Sequence, residues 1–353
     1  MLASLRSRAV LAFTVLALAA CGEETELPTD LATVEATEDI QLTAAAFDTP
    51  QTSALVDLGI YVDSALVNAG VGASLASVVA AGPTPTALPT RDLVERIEQA
   101  STEPMTALPA SVIGKTFEWN VTTDRYVMTS RAGAPPDGIR FILYTINRIS
   151  LTPAEPLVEV GTLTITQGGT TNNPTATVNV RNLAGVTVFS YTASRGGTQQ
   201  VPSFSVVGTA GVGPNAATFT LTVGLNLISR AITADWRTEI PTRSLTTRTT
   251  LGINTTTGAV TLRGVMQRGL RRVEISGTFN EEFGGQLTVK VGDRTFARIV
   301  LDGAQGVTIT NPEGQPLTAE EEATLELIFE WFERSLTWYG ALLDPAYAVL
   351  GVV

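Results

Sequence analysis

The residues that usually carry out catalysis are scarce in this chain. It contains no histidine, so neither a Ser-His-Asp nor a Cys-His arrangement can form. Cys21 is its one cysteine, which rules out an internal disulfide and deprives zinc, copper or iron of thiolate and imidazole ligands together. Lys115 and Lys290 are the only lysines available for Ser-Lys or Schiff-base chemistry. Glu281 and Glu282 share an expected loop, and Asp235 and Glu239 share one face of an expected strand. Four extended residues separate backbones by roughly 13 Å. Paired carboxylates for glycoside hydrolysis sit roughly 5 to 9.5 Å apart. A carboxylate-based hydrolase is therefore a remote reading, and the chain is expected not to be an enzyme.

Two glycine motifs lead no further. Gly114-Lys115-Thr116 ends like a phosphate-binding loop, but Pro109 stands where that loop needs glycine, and Phe117 and Trp119 continue as a strand. Gly211-Val212-Gly213-Pro214-Asn215-Ala216 fits a dinucleotide pattern, yet a strand follows it rather than a helix, and Pro214 suits a turn. No cofactor and no metal is expected. Arg263, Arg268, Arg271 and Arg272 cluster at an expected hairpin, where strand alternation divides them between two faces. They read either as charge protecting a solvated sheet edge or as an anion patch for lipid headgroups or cell-wall polymer.

The first twenty-one residues have a function of their own. Arg6 and Arg8 precede an uncharged, mostly apolar run from residue 9 to 20, and small residues lead up to Cys21. This is the anatomy of a secretory signal peptide, and the run is shorter than the roughly 20 residues a membrane span needs. Leu18-Ala19-Ala20-Cys21 resembles the lipobox of bacterial lipoproteins. The resemblance implies cleavage before Cys21, acylation of its thiol and new amino group, and anchoring to a membrane of the cell envelope. Two or more acyl chains anchor stably where one does not. Gly22, where an aspartate would retain such proteins in the inner membrane, implies the outer membrane.

Removing residues 1–20 takes away two of the 23 basic residues and none of the 34 acidic ones, leaving a net charge of −13. Such a protein is not expected to bind nucleic acid, and bare anionic lipid would repel it. Residues 22–48 contain eight carboxylates and no basic residue, and read as a solvated tether. Residues 49–110 read as a helical, proline-rich segment. Thr49-Pro50 is a helix start, Leu55, Leu58, Val62 and Leu66 recur at helical spacing, and prolines punctuate 83–89 and 104–109.

From residue 111 the period changes to two. In 218–227, Phe219, Leu221, Val223, Leu225 and Leu227 alternate with Thr218, Thr220, Thr222, Gly224 and Asn226. Alternation of this kind marks strands with one buried and one wet face, hence antiparallel sheet. Gly292-Asp293 reads as a tight hairpin, and 254–258 and 280–285 as longer ones. The spacing predicts about eleven to thirteen strands between 112 and 310. A helix at 318–338 then closes the chain, started by a Thr318–Glu321 capping box. Its apolar stripe is Leu325, Ile328, Phe329, Phe332 and Leu336, with Trp331 and Trp338 beside it.

The expected fold is mainly β: a large antiparallel meander, a curved sheet or half-barrel, with short N-terminal helices and an amphipathic C-terminal helix. Its domains are a signal peptide (1–20), an acylated acidic tether (21–48), a helical segment (49–110) and the β domain (111–353). The organisation is loosely similar to the half-barrels of periplasmic lipoprotein carriers. That similarity, with the long apolar face and the aromatic helix, points to non-enzymatic binding of an apolar or amphiphilic ligand, or of an envelope protein; Trp331, Phe332 and Trp338 read either as core, the commoner case, or as facing the ligand. The alternatives are a structural β-scaffold or surface-interaction module with a closed core, and a transmembrane β-barrel, against which the sparse aromatics argue.

Overall fold

The computed structural model describes residues within 39–55, residue 108, and residues 110–331 with short interruptions. Fifteen strands form one sheet: β1 (Thr116–Asn120), β2 (Arg125–Thr129), β3 (Gly138–Tyr144), β4 (Glu159–Thr170), β5 (Asn173–Asn182), β6 (Thr187–Gly197), β7 (Pro202–Ala210), β8 (Ala217–Asn226), β9 (Ala231–Ile240), β10 (Leu245–Asn254), β11 (Ala259–Arg268), β12 (Arg271–Phe279), β13 (Gly285–Val291), β14 (Arg294–Asp302) and β15 (Gly306–Thr310). From β3 to β15 each strand pairs antiparallel with its sequence neighbours. β1 departs from this, pairing antiparallel with β2 and parallel with β3. The sheet is open, because β2 and β15 end the order and do not pair with each other.

Alternation sets the two faces. In β8, Phe219, Leu221 and Leu225 are buried while Thr218, Thr220 and Thr222 are exposed. The register carries that division across the sheet: Leu221 lies opposite Val206 and Trp236, and Thr220 opposite Val207 and Arg237. The apolar positions therefore merge into one inner face. The expected hairpins form as read, with β13 and β14 joined through Gly292 and Asp293, and Gly292 at φ 59°. Among the described residues there are two more strands than spacing predicted at most. β3, Gly-Ile-Arg-Phe-Ile-Leu-Tyr, is buried almost throughout, and a continuous apolar run carries no period.

Helical residues lie on the inner face. The first group falls within 39–47 (α1), the second within 50–55 (α2) and the third within 319–329 (α3). Pro50 opens α2, and the Thr52 amide donates to Thr49 Oγ1 at 3.1 Å. α3 starts with the expected capping box. The Glu321 amide donates to Thr318 Oγ1 (3.3 Å) and the Thr318 amide to Glu321 Oε2 (2.8 Å). Leu325, Ile328 and Trp331 are buried in the same core cluster as the sheet residues.

The segment expected to be a solvated tether differs from that reading over 39–47. Ala46 and Phe47 are buried, and Phe47 packs on Phe219 with ring centroids 5.9 Å apart. Asp39 pairs with Arg268 at 2.6 Å, and Gln51 Nε2 donates to the Val160 carbonyl at 2.8 Å. These contacts reach β11, β8 and β4 in turn, so α1 and α2 form a strap across one end of the sheet. Leu42, Ala46 and Phe47 at helical spacing supply its apolar side, which outweighs the acidic composition. Residues 21–38, 56–107 and 332–353 lie outside the described residues, as do Cys21, Phe332, Leu336 and Trp338.

Candidate functional site

The four clustered arginines separate by face, as alternation requires. Arg268 ends β11 and lies directly across from Arg271, which begins β12. Both turn to the inner side and flank Asp39, at 2.6 and 3.6 Å. Arg263 and Arg272 turn to the outer side and hold Glu274 between them, at 2.8 and 2.5 Å. The two guanidinium groups, Arg263 first, keep the Glu274 carboxyl below its ordinary range. Each arginine of the expected anion patch is thus committed to a carboxylate. Arg272 and Glu274 are two apart on one strand, a spacing readable from sequence. Asp39 is 229 residues from Arg268, and sequence reading missed it within a run of acids.

Asp235 and Glu239 share the outer face of β9, as expected, but each has an arginine of its own. Arg248 donates to both Asp235 oxygens, at 3.0 and 2.5 Å, and Arg237 pairs with Glu239. A shallow depression of about 150 Å³ lies here, lined by Thr218, Phe219, Thr220, Arg237 and Glu239. It is too small for a typical ligand pocket of about 300–1,000 Å³. Glu281 and Glu282 lie outside the described residues. Gly114 and Lys115 lead directly into β1, and Gly213–Asn215 is a single 3-10 turn before β8, so both glycine motifs are turns.

The densest titratable group lies near the other edge. Arg131 bridges Glu118 of β1 and Glu159 of β4, at 3.0 and 2.6 Å. The hydrogen bonds from Arg131 hold the Glu159 carboxyl below its ordinary range, leaving it no proton to donate at neutral pH. Tyr144 sits nearby, its phenol pushed up to about 12 by burial first and then by the charges of Glu118 and Glu159. A phenol raised in the folded state contributes stability that is whole below its ordinary value near 10 and is lost as pH rises through about 12. Ultraviolet titration of the folded chain should show a tyrosine ionising near 12, and Tyr144→Phe should remove it.

No known family model, characterised protein or solved structure matches this chain. The chemistry must therefore be read from the molecule itself. Among the described residues no helix is long and apolar enough to cross a membrane, and no three His, Cys, Asp or Glu side chains cluster as a metal site.

What remains is a pair of contrasting surfaces. The inner face is packed: Leu163, Ile165, Val178, Val180 and Val206 are fully buried, and Trp331 is 2% exposed. Trp331, readable either as core or as ligand-facing, is thus a core residue. The outer face is wet and has two halves. Across β4–β8 one register row reads Thr166, Thr177, Thr192, Val207, Thr220, without charge. Neighbouring hydroxyls touch across strands there: Thr177 with Thr192, Ser190 with Thr209, and Ser194 with Ser205, at 2.9 to 3.1 Å. From β9 to β12 the same face carries the arginine–carboxylate pairs.

Proposed function

We infer that this is a lipid-anchored cell-envelope protein that works without catalysis, as a β-scaffold offering its broad outer face to a partner. The carrying observation is the packed inner face, which α1, α2 and α3 of the same chain occupy. A sheet that fills its own apolar side has its polar side left for recognition. The leader supports export and acylation at Cys21, and Gly22 supports the outer membrane. The net charge of −13 and the paired arginines argue against nucleic acid as partner. The test is extraction of the mature chain, purified without detergent, for mass spectrometry. The scaffold reading expects no amphiphile at stoichiometric level. A stoichiometric lipid would replace it with ligand binding.

That second reading has one observation of its own. Arg195 of β6 lies on the inner side, across from Phe204. Burial pushes its guanidinium below the ordinary arginine range, and it has no ionic or hydrogen-bond partner among the described residues. A buried Gln167 amide nitrogen on the same face also lacks a partner. An anionic headgroup would pair with the guanidinium.

A further inference from the structure

We propose that β15 is a self-association edge, pairing antiparallel with β15 of a second copy across a twofold axis at Thr308. Among the described residues the strand order ends at β15, and one side of its backbone has no partner strand there. Unpaired N–H and C=O groups along an edge are a template for another strand, and proteins usually blunt them with charge, proline or a bulge. β15 has none of these. Its sequence is Gly-Val-Thr-Ile-Thr, Gly306 to Thr308 are exposed, and Val307 is 43% accessible. The opposite edge, β2, begins with an exposed arginine, Arg125, and is followed by the Arg131 ion-pair cluster.

The occupant follows from the register. Val307 and Ile309 lie opposite Leu301 and Ile299 of β14, and so belong to the inner face. An antiparallel pair centred on Thr308 places Val307 of each copy opposite Ile309 of the other, Gly306 opposite Thr310, and Thr308 opposite itself. β-branched side chains thus meet β-branched side chains on one face, and hydroxyls meet on the other. The strand is its own complement, the requirement for a closed twofold contact. The axis stands perpendicular to the sheet, so both inner faces and both straps lie on the same side. Two chains held by their N-termini can then sit on one membrane, a consequence that rests on the anchoring reading. A five-residue strand makes a contact well below the roughly 1,600 Å² of a standard interface, so confinement to a surface supplies the concentration that pairing needs.

The test uses the exported, acylated protein in phospholipid vesicles, with Thr308→Cys compared against Thr220→Cys on the outer face. Only residues with Cα atoms within about 7 Å are bridged readily, and directly opposed strand residues lie about 4.5–5.5 Å apart. Under copper-phenanthroline oxidation, Thr308→Cys should form covalent dimer about tenfold faster than Thr220→Cys. Adding Val307→Lys should return the rate to background. Equal rates for the two single variants would overturn the proposal. So would bridging of Thr308→Cys only to a cysteine at Val127 of β2, which would mean head-to-tail stacking. If the protein fails to float with the vesicles, the anchoring reading has failed instead, and the same comparison in concentrated solution decides the pairing.

Discussion

Replacing Asp39 with asparagine is expected to cost about 3 kcal/mol of stability, because breaking a largely buried ion pair by removing one partner is strongly destabilising. The Asp39 side chain is only 6% exposed and that of Arg268 is 21% exposed. Both lie on the side of the sheet that the strap covers. Without the carboxylate, Arg268 keeps its desolvation but loses its 2.6 Å pairing with Asp39, while Arg271, at 41% exposure, turns to water at little cost. Urea unfolding measures the loss. Asp39→Leu combined with Arg268→Met should recover most of it, since replacing both charges with apolar groups is often neutral. If Asp39→Asn unfolds at the same urea concentration as the parent, the strap does not depend on this pair.

Phe219→Ala is expected to cost about 3–5 kcal/mol, the range for emptying a buried aromatic site. Phe219 stacks on Phe189 with ring centroids 5.5 Å apart and planes 9° from parallel. Tyr191 lies at 6.5 Å and Phe47 of the strap at 5.9 Å. Gly208 makes room for this ring, because a Cβ there would stand 2.5 Å from Phe219 Cζ. Alanine would leave a cavity bounded by the strap on one side and by three strands on the other. Asp39 and Phe219 both hold α1, so their substitutions should not add. Once either has loosened the strap, the second should cost less than it does alone. Urea unfolding of the two single variants and the double variant measures that coupling, and strict additivity would show that the two contacts are independent.

How much of this was readable in the residues differs from place to place. β8 announces itself, because every second residue from Thr218 to Asn226 is polar or glycine and the rest are apolar. The capping box at Thr318 and the two-residue turn at Gly292 are equally local and equally legible. β3 is not, since Phe141, Ile142, Leu143 and Tyr144 are all buried and give no alternation. Its parallel pairing with β1 leaves no mark in either strand. Among the arginines, the division between faces could be read from alternation, and so could the neighbourhood of Glu274. The partner of Arg268 could not. Charge counting treats the eight carboxylates of residues 22–48 alike, whereas Asp39 is drawn inward by apolar residues that follow it at helical spacing. Trp331 shows the converse: an aromatic on an amphipathic helix is either core or ligand contact, and only the packing around it decides.

The sequential order of β3 to β15 also bears on how the molecule is built. From β4 onward each strand docks on the one just before it, so strand pairing joins neighbours along the chain, a topology that shortens the search for the native state. A polypeptide threaded end-first through a pore can lay down strand after strand on the trailing edge as each one emerges, without waiting for its far end. The clasp between Asp39 and Arg268 cannot close until β11 has arrived, 229 residues later. Until then the growing sheet has its greasy side bare at that end, and this interval is when a holding chaperone would matter most.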